Sequence, residues 1–267
     1  MATATAVAAL GVVEPRRPKG RLVPVSAPDP GPGVCKICRG PARHRVAYCW
    51  CCTRVCASLG MIPSRVPPVI PVGLCATGDA WNTSLRRYKD APVAAARRHF
   101  AELIAGEVES FLRGNERDVE ELTGGFDSYC VVPSSRTQRL RDAMHPLSKV
   151  LARVEFLGGL EVLRLAPSSS HSTSHAGHMK PSSLAFVVSD PAMAHGRRVL
   201  VVDDSWVTGS RALSAVSVLA GAGSTVAGVL VLGRLINPAA SEYSHQWWES
   251  VVNPRGVVNP GQERVAL

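Results

Sequence analysis

"VLVVDDSWVTGSRALS", residues 199–214, decides how this chain is read. Four apolar residues run into two adjacent carboxylates, Asp203 and Asp204, and a short polar turn leads into a helical pattern from about Ser210. A continuous apolar strand is buried on both faces, the mark of a parallel sheet covered by helices. Two carboxylates at its end repel each other and lose solvation, so a cation, hydroxyls or backbone amides should face them. The turn adds Gly209, which allows close backbone approach, and the hydroxyls of Thr208 and Ser210. The first amides of the helix, with its dipole, attract a phosphate. The competing reading is structural: an Asp pair after a strand can cap the turn.

Outward from this stretch the α/β pattern repeats. "SYCVVP" (128–133), "LEVLRLA" (160–166), "LAFVVSD" (184–190) and "STVAGVLVLGRL" (224–235) read as strands, and the segment from Pro92 to Gly114 as a long helix. "HPLSKVLARVEF" (145–156) and "SRALSAVSVLAGAG" (210–223) read as further helices. The expected architecture is a parallel sheet with helices on both faces, with ligands bound at the C-terminal strand ends.

"VCKICRGPARHRVAYCWCCTRVC" (34–56) holds six of the eight cysteines. Cys35-x-x-Cys38 and Cys49-x-x-Cys52 can each place two thiolates on one turn, and together they suit tetrahedral Zn2+. An iron–sulfur cluster is the minority reading. Cys51 and Cys56 are spare thiols, Cys52 and Cys56 form a competing pair, and His44 is a weaker candidate. A metal also substitutes for the core that so short a module cannot build. Cys130 reads as a buried strand residue.

Charge is unevenly placed. Residues 1–66 carry ten Lys/Arg against two acids, whereas the remainder carries 20 against 19. A basic N-terminal part suits contact with single-stranded DNA, or is a solvated tail. The opening "MATATAVAALGVV" lacks a positive n-region, and no apolar run reaches the length of a membrane span, so a cytoplasmic protein is expected.

A phosphate, a diol and a magnesium-bound pyrophosphate occur together in phosphoribosyl pyrophosphate (PRPP). "VLVVDDSWVTGS" resembles the PRPP-binding motif of type I phosphoribosyltransferases. With the cysteine module in front of it, the chain looks like the ComF family of phosphoribosyltransferase-like proteins, associated with DNA uptake in competence. "SLRRYKDAP" (84–92) is similar to the Lys-containing segment that joins the two modules there, and "VVPSSRTQR" (131–139) resembles the strand and pyrophosphate loop. The resemblance covers about residues 34–235.

It implies that Asp203 and Asp204 hold the ribose hydroxyls. Val207, Thr208, Gly209, Ser210 and Arg211 would form the phosphate cradle, and Ser134, Ser135 and Arg136 the pyrophosphate loop. "PSSSHSTSHAGHMKPSS" (167–183) falls where the family has a mobile loop, from which Lys180 would reach the pyrophosphate. In catalytic members a nucleophile displaces pyrophosphate from PRPP with Mg2+. Val207 stands where many members have a hydroxyl or acidic residue, and Arg211 where many have Thr. The rival class is a non-catalytic adaptor that uses the basic module to bind single-stranded DNA or a protein partner.

The expected organisation is a basic, Pro-rich tail (1–33), a zinc-ribbon-like module (34–66), a linker (67–80), the phosphoribosyltransferase-like domain (81–237) and a C-terminal extension (238–267). Trp247 and Trp248 are expected to pack that extension onto the domain.

Overall fold

The computed structural model describes residues 24–134, 145–168 and 180–253. Ser135, Arg136 and the three histidines of the 167–183 segment lie outside the described residues.

The centre is a six-stranded sheet whose pairs are all parallel. Its strands are β1 (Val69–Pro71), β2 (Leu74–Ala76), β3 (Ser128–Val131), β4 (Glu161–Leu163), β7 (Arg198–Trp206) and β8 (Thr225–Ile236). The order is β1-β8-β7-β3-β4, and β2 pairs with β8 beyond β1. A separate antiparallel pair joins β5 (Leu165–Pro167) to β6 (Phe186–Val188).

The pleat assigns the two faces. Val199 and Val201 of β7, Val229 and Val231 of β8, and Cys130 of β3 point to one side. Leu200, Val202, Leu230, Leu232, Tyr129 and Val131 point to the other. The second side is covered by α2 (Ala80–Asp90), α3 (Ala94–Gly114), α4 (Glu116–Thr123) and α5 (Pro146–Leu151). The first is covered by α7 (Ser210–Gly221) and, beside it, the cysteine module with α1 (Trp50–Ser58). The short α6 (Pro191–Ala194) precedes β7, and α8 (Glu242–Val252) closes the described chain. Trp247 of α8 is buried against Val34, Leu74 and Ile236, with Trp248 packed beside them. The parallel sheet with helices on both faces is the expected architecture.

Several segments differ in detail from the sequence reading. The stretch 67–80, read as a linker, contains β1 and β2, which extend the sheet along β8. Its prolines mask strand character in the sequence, yet an edge strand tolerates a residue without an N–H. "LEVLRLA" is two strands rather than one, divided at Arg164 between the main sheet and the β5–β6 pair. "LAFVVSD" likewise contributes β6 to the small pair and not to the parallel sheet. The strand through the aspartates continues to Trp206, held by the register Asp203↔Val231, Ser205↔Gly233 and Trp206↔Arg234.

Candidate functional site

Four sulfurs converge in the N-terminal module. Those of Cys35, Cys38, Cys49 and Cys52 all lie within 4.8 Å of one another. Cys38 and Cys49 are 3.8 Å apart, which matches the edge of about 3.8 Å expected for a tetrahedron with metal–sulfur bonds of about 2.3 Å. Local backbone explains the convergence. The Cys35 N–H bonds to the Gly40 carbonyl at 2.8 Å, closing a tight turn with Arg39 at φ 58°. The Cys49 N–H points at the Cys35 sulfur at 3.2 Å, and Cys52 follows on the first turn of α1. Sulfur hydrogen bonds from Cys35, Cys49 and Cys52, and the charge of Arg234, draw the Cys38 thiol well below its ordinary value. The cluster can hold a metal ion such as zinc. Neither His44, Cys51 nor Cys56 belongs to it.

Arg234, which the apolar reading of β8 passed over, is a buried cation at 7 % exposure. Its Nη1 donates to the carbonyls of Trp206 at 3.1 Å, Val207 at 3.2 Å and Leu235. The Cys38, Cys49 and Cys52 sulfurs favour its charge against the cost of burial. An added Cβ at Gly40 would stand 2.7 Å from Nη2, so the cysteine turn lies directly on the guanidinium.

The acidic pair lies at the C-terminal part of β7, and its two members differ. Asp204 Oδ2 accepts from Lys89 Nζ at 2.5 Å and Tyr88 OH at 2.8 Å, and Oδ1 from Ser205 Oγ at 2.7 Å. Burial opposes its charge, but Lys89, Ser205 and Tyr88 outweigh it and hold the carboxyl below its ordinary value. Burial first, and then the Asp204 charge, push Asp203 up to about 7. Among the described residues Asp203 accepts a hydrogen bond only from the Asp204 N–H, at 2.9 Å.

The turn after β7 has a packing role that the sequence concealed. Gly209 has φ 83°, and a Cβ there would stand 2.2 Å from the Trp206 ring. Glycine is therefore required by the buried indole and by the left-handed backbone. Thr208 Oγ1 lies 2.9 Å from Ser210 Oγ and accepts from the Ser210 N–H at 3.3 Å. As the N-cap of α7, Gly209 offers no side chain to the first-turn amides, and the Ser210 N–H turns back to Thr208 instead, while the amide ends of a helix favour an anion placed before it.

Arg211 reaches away from this turn. It donates to the Pro133 carbonyl at the end of β3 and lies over the Phe186 ring at 5.3 Å. Burial lowers its pKa while Asp203 and Asp204 oppose that shift, so it adds positive potential beside the acids. Val207 is 47 % exposed. The Ser134 N–H faces His145 Nε2 at 3.1 Å, and the Leu147 N–H faces Nδ1 at 3.2 Å. A neutral imidazole accepts at one nitrogen only, so it satisfies one of these two N–H groups at a time. Burial holds His145 down at about 4 and keeps the ring neutral. Lys180 is exposed and stands apart from the acidic pair's hydrogen bonds.

The structure thus joins Asp203 and Asp204 to the 207–211 turn, and ties that turn through Arg211 to the end of β3. Tyr88, His145, Trp206 and Arg234 were not singled out in the sequence. Lys89 was visible only inside the "SLRRYKDAP" resemblance. No known family model matches the chain, and no curated protein shows significant similarity to it. No described helix is long and apolar enough to cross a membrane.

Proposed function

We propose that the end of β7 binds PRPP or a related phosphorylated ribose with Mg2+, in a chain of the ComF type, and that the four cysteines hold a structural Zn2+. One observation carries the first reading: the acidic pair is only half neutralised. Lys89 compensates Asp204, whereas Asp203 takes one backbone N–H and has a second oxygen with no described donor. Such a carboxylate suits a ribose hydroxyl or a magnesium ion. The N-terminus of α7, whose N-cap Gly209 has no side chain to cap it, supports a phosphate a few residues away.

In this reading Asp203 orients the ribose, and Lys89 and Tyr88 fix Asp204 beside it. Thr208 and Ser210 add hydroxyls to the phosphate end. Ser134, Ser135, Arg136 and Lys180 are the proposed pyrophosphate contacts. Mg2+, when bound, neutralises charge on the pyrophosphate. Phosphoribosyl transfer with release of pyrophosphate rests on the resemblance alone. The exposed Val207 provides no proton acceptor, so the turn itself does not activate an incoming base.

Calorimetry of the zinc-loaded chain tests this, with PRPP, ribose 5-phosphate and pyrophosphate as separate arms, each with and without Mg2+. The expected result is Mg2+-dependent PRPP binding that Asp203→Asn abolishes. No heat with PRPP rejects the reading. Pyrophosphate release against a panel of bases then separates transfer from binding.

A second reading, an adaptor whose basic module binds single-stranded DNA, is favoured by one surface feature. Trp50 is 69 % exposed, and the Arg54 guanidinium lies 4.6 Å above its ring. Exposed Lys36, Arg43 and Arg45 belong to the same module. Aromatic stacking among cations is how single strands are held without sequence preference. Salt-sensitive binding of an oligonucleotide that weakens in Trp50→Ala supports it, and indifference to that substitution rejects it.

A further inference from the structure

We propose that Arg234 is a positioning residue that couples metal loading of the four-cysteine centre to the conformation of the turn after β7. This inference rests on the reading of the cysteines as a metal centre and is independent of what the acidic pair binds.

A divalent ion on four thiolates leaves a net charge of about −2 in a dry environment, which needs buried donors and a counter-charge. Arg234 is a buried cation beside the cluster, and Gly40 of the cysteine turn rests on its Nη2. The same guanidinium donates Nη1 to the carbonyls of Trp206 and Val207. Those carbonyls immediately precede Thr208 and Gly209, so one planar group is shared between the thiolates and the turn.

Packing reinforces the link. Trp206 belongs to the same buried cluster as Cys35, Cys38, Cys52 and Cys56, and its indole lies against Gly209. The Trp206 Nε1 and Arg234 Nε have no hydrogen-bond partner among the described residues. Two buried donors without acceptors are a cost that this junction bears, so the Nη1 bonds to the carbonyls carry the hold of the guanidinium on the turn. With metal bound, thiolate charge holds the guanidinium between the two sites. With metal removed, the cysteine turn that rests on Nη2 is no longer fixed, and the carbonyl contacts that depend on the position of the guanidinium loosen.

The experiment is amide hydrogen exchange on the full chain, zinc-loaded and zinc-stripped under reducing conditions, read on peptides covering 205–213 and, as a control, 128–131. Zinc content is measured first. A chain that binds no zinc overturns the metal reading and this inference with it. In the wild type, stripping should speed exchange at 205–213 by about 5- to 150-fold, the range of ordinary coupling energies, and leave the control peptide unchanged. In Arg234→Met the turn should exchange fast with zinc bound and respond little to stripping. Arg234→Lys, which keeps the charge without the fork, should retain zinc more tightly than Arg234→Met in chelator competition while the turn stays uncoupled.

If Arg234→Met does not fold, Gly40→Ala serves, because its added methyl would stand 2.7 Å from Nη2 and displaces the guanidinium. It should retain zinc and show accelerated exchange at 205–213. Equal exchange at 205–213 in loaded and stripped wild type overturns the proposal, as does a full response in Arg234→Met. Equal acceleration of the control peptide shows global loosening and overturns it too.

Discussion

The cysteine turn and the acidic end of β7 both gather like groups, yet they are finished to different degrees. Four sulfurs already point at one centre, with a buried arginine behind them. At the acidic end one carboxylate is enclosed by Lys89, Tyr88 and Ser205, and its neighbour has a single backbone donor among the described residues. A closed donor set is what a structural ion needs, whereas an open carboxylate is what an exchanging ligand needs. The two regions are also not independent, because the module and α7 share one buried cluster.

That sharing gives the largest expected effect. Cys49→Ser should lose the metal, and the consequence should not stop at the module. Cys35, Cys38, Cys52 and Val55 pack in the cluster that holds Trp206, Leu213 and Val216, so releasing the module uncovers one face of the sheet. Structural zinc contributes on the order of 10 kcal/mol in small modules. Thermal unfolding should therefore show one transition shifted downward for the whole chain. Two transitions, with the upper one unmoved, would mean that the modules are separable.

The enclosed carboxylate comes next. Lys89→Met leaves Asp204 partly buried without its cation and should cost about 2 kcal/mol, since the pair keeps some contact with water. Adding Asp204→Asn should recover most of it, a non-additivity read in a double-mutant cycle by urea unfolding. Because the Asp204 carboxyl is held below its ordinary 3.8, its contribution is present above that pH and fades as pH falls through the lowered value. Simple additivity of the two changes would show that the ion pair contributes nothing to stability.

Gly209→Ala separates packing from ligand chemistry at the turn. A methyl there meets the Trp206 ring and sits on backbone at φ 83°. The expected loss is about 1–3 kcal/mol, visible in unfolding without any ligand present. Unchanged stability would show that the turn can move off the indole. A ligand assay on this variant is interpretable only beside that measurement.

Much of this was legible in the sequence, for identifiable reasons. The apolar runs of β7 and β8 carry their burial in consecutive residues, and the cysteine pairs carry their geometry in their spacing. What stayed hidden was made by distance along the chain. Tyr88 and Lys89 meet an acid more than 110 positions away, and Arg234 sits inside an apolar run that gives no sign of its carbonyl and sulfur partners. β1 was masked by Pro71 and the prolines before it, which an edge strand accepts and a central one does not.

The smallest effect is the one that sharpens the contrast between neighbours. Burial and the Asp204 charge raise Asp203 to about 7, above the ordinary 3.8. The folded chain then binds a proton that the unfolded chain has released, so stability should decline as pH rises from about 4 to about 7. Asn keeps the side-chain oxygen that accepts the Asp204 N–H and carries no charge. Asp203→Asn should therefore match the wild type near pH 4, lose the slope between 4 and 7, and be more stable by about 1–2 kcal/mol at pH 8, allowing for partial exposure. Urea midpoints at several pH values check this. Binding should run the other way. If Asp203 takes a magnesium ion or ribose hydroxyls as a carboxylate, wild-type affinity for PRPP with Mg2+ should rise between pH 6 and pH 8, because the proton must leave first. An Asp203→Asn chain destabilised at pH 8 would instead assign that carboxylate to holding the turn. A variant both stabilised and unable to bind would mark a charge kept for its ligand at a cost to the fold.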